Sequence, residues 1–220
     1  MLAIELNNNI IPRLQLEDTV GKALQLINDF KVSHLPVVSE EKYLGLISED
    51  DLLDAENKTM HIQSLQDDFI DISIKENEHF LQAVNISNQY QTSVVPVVNE
   101  EKEFLGSISG QNLLRTLGNF SGATEIGGII VFEMERSQFI ISEISRIVES
   151  NEATILHLNT TVQPETGLLI VTIHINKKEL SMIVAAFERY EYDVLYYFGE
   201  EKFENEIHSN YRHLMNYLDI

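Results

Sequence analysis

The sequence predicts a mixed α/β (α+β) chain in two parts: two β-α-β-β-α-type units packed sheet to sheet, then a βαββαβ segment and a C-terminal helix. Three observations carry this expectation. An apolar-Pro-Val-Val run occurs twice in one register. Amphipathic stretches of helical spacing flank both runs. A Gly-rich stretch then separates them from a region where strand-like and helix-like periods alternate.

The repeat comes first. Ser33-His34-Leu35-Pro36-Val37-Val38 lies over Ser93-Val94-Val95-Pro96-Val97-Val98 at an offset of 60. Upstream, Thr19-Val20-Gly21-Lys22-Ala23-Leu24 lies over His79-Phe80-Leu81-Gln82-Ala83-Val84 in the same register. Downstream the offset becomes 61, with Leu44-Gly45-Leu46-Ile47-Ser48 over Leu105-Gly106-Ser107-Ile108-Ser109. One residue inserted in the Glu/Lys turn accounts for the step.

Within the first unit, Val20, Ala23, Leu24 and Ile27 share one helical face, with Asp18 or Thr19 as N-cap. Phe80, Ala83 and Val84 do the same in the second. Strands are expected over 35–38 and 94–98, then 43–47 and 104–108, with helices over 49–55 and 111–117. A unit of about 50 residues buries little core alone, so the two should pack together. The boundaries read as 1–60 and 61–120 for the repeats, 121–127 for a linker, 128–199 for a second domain and 200–220 for a terminal helix.

The linker reading rests on Gly118, Gly122, Gly127 and Gly128, which lack the Gly-Lys-Ser/Thr ending of a phosphate loop. Beyond it, strands are expected over 129–134, 154–161, 168–175 and 193–198. A helix over 138–149 carries Phe139, Ile140, Ile144, Ile147 and Val148 on one stripe, and Asn176 is read as the cap of a helix over 178–190. That order is the ferredoxin-like plan. In the tail, Phe203, Ile207, Tyr211, Leu214 and Leu218 recur at helical spacing, whereas His208 and His213 share no face and make no metal site.

Composition narrows the function. Acidic residues number 35 against 15 basic, a formal charge of -20, so phosphate backbones and anionic lipid surfaces are repelled. Nucleic-acid and membrane partners are therefore not expected. With no cysteine, disulfides and thiolate metal sites are excluded. The start, Met1-Leu2-Ala3-Ile4-Glu5, has no basic, apolar leader, and no apolar run reaches the roughly 20 residues of a membrane span. A soluble cytoplasmic protein is the expectation. No catalytic constellation stands out: no Gly-x-Ser-x-Gly elbow occurs, and His61, His157 and His174 are isolated in sequence. No enzyme, cofactor or metal is expected.

The doubled motif resembles the CBS domain, a module that occurs in pairs. Its marks are the hydrophobic-Pro-Val-Val strand and a closing Gly-x-x-Ser/Thr-x-x-Asp, here Gly45-Leu46-Ile47-Ser48-Glu49-Asp50-Asp51. The resemblance implies a cleft that takes AMP, ATP or a related adenosine compound such as S-adenosylmethionine as regulatory ligand. It places nucleotide contacts at His34, Leu35, Pro36, Ser48 and Asp51, the carboxylate of Asp51 accepting from ribose hydroxyls. Taken alone, Ser48 and Asp51 also fit a helix cap with an acidic first turn. The second unit offers Val94, Val95, Pro96, Ser109 and Asn112, a weaker cleft because an amide replaces the acid. The sparse basic residues near the first motif favour AMP or a nucleoside over ATP. The later βαββαβ segment resembles an ACT domain, although its loop Glu133-Met134-Glu135-Arg136-Ser137 lacks the glycine that receives an amino acid in that family. The combined order resembles the acetoin utilisation protein B type. The expected role is a regulatory adenosine-nucleotide sensor that works as a homodimer, and the alternative is a ligand-free dimeric scaffold for another protein.

Overall fold

The computed structural model describes residues 1–7 and 10–200. The chain divides into two units, Met1–Leu117 and Gly118–Ile220. The helix expected over 200–220, with its apolar stripe and two histidines, falls from 201 onward outside the described residues.

In the first unit each repeat builds the same three-stranded sheet. The first runs β1 (Leu14–Gln15), α2 (Val20–Phe30), β2 (His34–Ser39), β3 (Lys42–Ser48) and α3 (Glu49–Leu53), preceded by the short helix α1 (Ala3–Leu6). A 3-10 turn, Ile62–Asp68, leads to the second: β4 (Ile74–Lys75), α4 (Phe80–Gln89), β5 (Val94–Val98), β6 (Phe104–Ser109) and α5 (Gly110–Phe120). In both, the Pro-Val-Val strand is central, with a parallel neighbour on one side and an antiparallel one on the other. The two-residue strands β1 and β4 were not individually predicted, because two residues show no period.

Matching details confirm the register. Val37 faces Gly45 and Val97 faces Gly106, and a bulge follows each pair. Thr19, not Asp18, caps α2 by accepting from the Lys22 amide at 3.2 Å. Gly45 is required twice over. Its φ of +158° disfavours side chains, and a Cβ there would lie 2.8 Å from Cβ of Phe69.

The repeats also exchange their leading segments. Leu2 bridges His79 and the Ala3 amide donates to Glu78 O at 2.8 Å, so α1 packs on the second repeat. Conversely, His61 bridges Thr19 and the Ile62 amide donates to Asp18 O at 2.9 Å, so the 3-10 turn packs on the first. Ala3 joins the core with Ile74, Ala83 and Val95, while Ile62 joins Val20, Ala23 and Leu35. Val94 of the second repeat sits in the core of the first, which ties the two sheets together.

The second unit is one antiparallel sheet in the order β10-β7-β9-β8, built from β7 (Gly128–Met134), β8 (Ile155–Val162), β9 (Leu169–Ile175) and β10 (Asp193–Phe198). Helices α6 (Ile141–Ser150) and α7 (Ser181–Arg189) complete the βαββαβ order. Burial alternates along β9 with period two, Leu169, Val171, Ile173 and Ile175 facing the core. Phe132, Phe187 and Tyr192 meet there with ring centroids 5.1 to 5.4 Å apart.

Two expectations are corrected here. The helix read from 138 begins at Ile141 after a 3-10 turn, Arg136–Gln138, and Ile140 is exposed rather than on the buried stripe. The backbone of Glu135 donates to the Gln138 side chain, which closes that turn before the α-helix starts. Asn176 is not a helix cap. Its Oδ1 accepts from the Thr154 amide at 2.7 Å, joining β8 to β9, and α7 starts five residues later.

Candidate functional site

The repeat brings Ser33 and Ser93 face to face. Ser33 donates its amide to Ser93 Oγ at 2.8 Å, and the two hydroxyls lie 3.1 Å apart. Each serine also anchors a helix start: Glu49 N–H donates to Ser33 O at 2.9 Å and Gly110 N–H to Ser93 O at 2.8 Å. These contacts tie the start of α3 to Ser33, the start of α5 to Ser93, and the two serines to each other.

On the first side, β2 pairs with β3 so that His34 stands opposite Ser48. Ser48 is the N-cap of α3, and Asp51 is its third residue. The Asp51 amide donates to Ser48 Oγ at 3.1 Å, while Asp51 Oδ2 accepts from Ser48 N at 3.2 Å and Ser48 Oγ at 2.5 Å. The pair is therefore a complete capping box. His34 is buried, with Nδ1 2.9 Å from Ser33 Oγ. Burial pushes its pKa below the ordinary imidazole value, partly opposed by the carboxylates of Asp51 and Asp50. His34, Ser48 and Asp51 thus lie close together. Leu35 is fully buried in the core and Pro36 is buried as well, so neither presents an open apolar wall.

On the second side, Ser109 caps α5 by accepting from the Asn112 amide at 3.2 Å. The reciprocal carboxylate is missing, and Asn112 Nδ2 instead donates to Leu6 O at 2.9 Å. Val94 and Val95 lie in the cores and Pro96 is buried. A cleft of about 200 Å³ opens here, with Phe30, Val32, Ser109, Gln111, Asn112 and Arg115 in its wall. A neighbouring cleft of about 350 Å³ shares Ile11 and carries Arg13. Sequence reasoning missed Arg13, Arg115 and the two serines, because no motif marks them. The offset of 60 that relates Ser33 to Ser93 was the available signal.

The second unit holds a larger cleft of about 590 Å³ around Tyr190 and Tyr192, walled by Glu133, Glu135, Glu143, Glu191 and Asp193. Burial and a hydrogen bond to Glu143 push the Tyr192 phenol up to about 12. His157 and His174, isolated in sequence, stand directly opposite each other on β8 and β9. Among the described residues no group of three or more His, Asp or Glu side chains is arranged to hold a metal ion. Among them, too, no helix is long and apolar enough to cross a membrane.

Over 100 residues, 45% of the chain, the sequence is 27% identical to inosine-5'-monophosphate dehydrogenase of Methanocaldococcus jannaschii. The match spans only 20% of that relative's length. Among solved structures, a CBS domain pair/ACT domain protein from Thermotoga maritima is 20% identical with a TM-score of 0.49, covering 55% of this chain and 98% of that one. CBSX2, solved in complex with AMP, is 16% identical with a TM-score of 0.46, covering 54% of this chain and 97% of that one. The family model of the CBS domain matches residues 6–58 and again 67–119. These two matches fall on the two repeats of the first unit, one on each.

Proposed function

We propose that this chain is a regulatory protein, not an enzyme, whose CBS pair binds an adenosine-type ligand and answers by shifting the arrangement of a homodimer or of a partner protein. The observation that carries the proposal is the Ser48–Asp51 box set opposite buried His34, at the point where Ser33 and Ser93 join the repeats. Asp51 would accept from the ribose hydroxyls, exchanging its bond from the Ser48 hydroxyl for two from the ligand. Backbone groups at His34 and Pro36 would face the base. Ligand binding biases the pair only if the two arrangements bind it unequally.

The βαββαβ unit fits an ACT-like domain whose role is assembly. Its first loop has no glycine, and its cleft wall is acidic where an amino-acid carboxylate would need donors. A second reading, a ligand-free dimeric scaffold, is favoured by one feature: Asp51 and Asn112 both already have internal partners.

Titration calorimetry of the full chain with adenosine, AMP, ATP and S-adenosylmethionine separates the readings. The sensor reading expects binding of at least one, and expects Asp51→Ala to remove adenosine and S-adenosylmethionine binding. Absence of heat from all four, together with an unchanged oligomer in Asp51→Ala, establishes the scaffold instead. Mass spectrometry of small molecules released from the purified protein gives an independent check.

A further inference from the structure

The two sides of the CBS pair are alike in backbone and opposite in charge. The cleft beside Asn112 has Arg115 in its wall, and the adjoining cleft has Arg13. Among the described residues neither wall contains a carboxylate, in a chain with 35 acidic residues. Among the described residues, neither arginine has an ion-pair partner. The repeat register shows what replaces these groups on the other side. Gln111, Asn112 and Arg115 correspond, at the offset of 61, to Asp50, Asp51 and Asp54. Ile11 corresponds, at 60, to Asp71, which is bound to Lys102 at 2.7 Å. One side therefore presents a free guanidinium among neutral groups, and the other presents consecutive carboxylates.

We infer that the pair sorts adenosine ligands by charge: the Asn112 side takes the phosphorylated form, with Arg115 on the phosphate, and the Asp51 side takes a form without phosphate. This rests on the adenosine reading above and adds to it which side holds which ligand. A guanidinium gives a phosphate two parallel charge-assisted hydrogen bonds, whereas a neighbouring carboxylate repels it. Phe30, 40% exposed in the same wall, offers a face on which an adenine can stack. Asn112 lies three residues before Arg115 in α5, one helical turn away on the same face, so its amide can meet the sugar while the guanidinium meets the phosphate.

The test is calorimetry of the full chain with AMP and with adenosine, on the unmodified protein, on Arg115→Gln and on Arg189→Gln, an exposed arginine of the other unit. Arg115→Gln should weaken AMP at least tenfold and change adenosine less than twofold, while Arg189→Gln leaves both unchanged. AMP binding in the unmodified protein should fall as salt rises, and this dependence should flatten in Arg115→Gln. If AMP binds and Arg115→Gln leaves it unchanged, or if Asp51→Asn alone abolishes it, the sorting is wrong and the adenosine reading stands. If neither probe binds the unmodified protein, the adenosine reading fails and the sorting falls with it. Arg115 is exposed, and circular dichroism of the variant confirms that any loss is not a folding defect.

Discussion

The capping box at Ser48 and Asp51 makes a quantitative prediction through a double-mutant cycle. Three hydrogen bonds form the box: Ser48 N to Asp51 Oδ2, Ser48 Oγ to the same oxygen, and Asp51 N to Ser48 Oγ. Ser48→Ala removes the two that involve Oγ. Asp51→Ala removes the two that end on Oδ2. The hydroxyl-to-carboxylate bond is common to both variants. At about 1 kcal/mol per bond, a low value suited to half-buried groups, each single substitution costs about 2 kcal/mol and the double about 3. The two singles should thus sum to about 1 kcal/mol more than the double, which is the contribution of the shared bond. Thermal unfolding resolves this, since 1 kcal/mol moves the midpoint of a domain of about 100 residues by about 4 °C. Additivity within about 0.3 kcal/mol would refute the box, and would mean that Asp51 is held by solvent and free for other use.

Three further outcomes follow from particular residues. Burial lowers the His34 pKa below the ordinary 6.5, so the unfolded chain binds the proton more readily. His34 therefore adds stability that is present above pH 6.5 and lost as pH falls through its folded value. Urea midpoints measured from pH 7.5 downward should decline below 6.5, and His34→Gln should flatten that part of the curve; an identical slope in the variant contradicts the assignment. Gly45→Ala puts a methyl 2.8 Å from the Phe69 side chain at a φ of +158°, and should cost about 2–3 kcal/mol by urea unfolding. Phe132→Ala opens the aromatic cluster with Phe187 and Tyr192 and should cost about 3–5 kcal/mol. A loss below about 1 kcal/mol would mean that the cluster is not the centre of that core.

The elements with a full period were legible. Helix α2 shows Val20, Ala23 and Ile27 on one face, and β5 runs from Val94 to Val98 as its β-branched composition implies. Elements decided by tertiary contact were not. Strands β1 and β4 exist only because Leu14 and Ile74 pair with Val37 and Val97. Asn176 looked like a cap because an Asx residue before a helix usually is one, yet a nearby strand amide took its oxygen. The site was half legible. Ser48 and Asp51 follow from a motif, whereas Arg13 and Arg115 lie far apart in sequence and line neighbouring clefts only after folding.

What the repeat keeps and what it changes have different physical causes. The matched positions fix the backbone: Ser33 and Ser93 at the junction, Gly45 and Gly106 beside the bulges, Pro36 and Pro96 in the central strands. A departure there would break a hydrogen bond or strain a φ angle, so both copies need the same residue types. Some unmatched positions lie in the core, as His34 against Val94 does, while others face clefts and solvent, where a substitution changes charge at little cost in stability. Asp54 against Arg115 is of this second kind, whereas Asp51 against Asn112 also exchanges a complete capping box for a simple cap. Two copies of one backbone can therefore carry opposite electrostatic surfaces without loss of fold. The leading segments pass between the repeats, α1 onto the second and the 3-10 turn onto the first. Asn112 is bound to Leu6 at the end of α1. A ligand that takes the Asn112 N–H now given to Leu6 must replace that bond, and occupancy on one side then acts on a segment that precedes the other repeat.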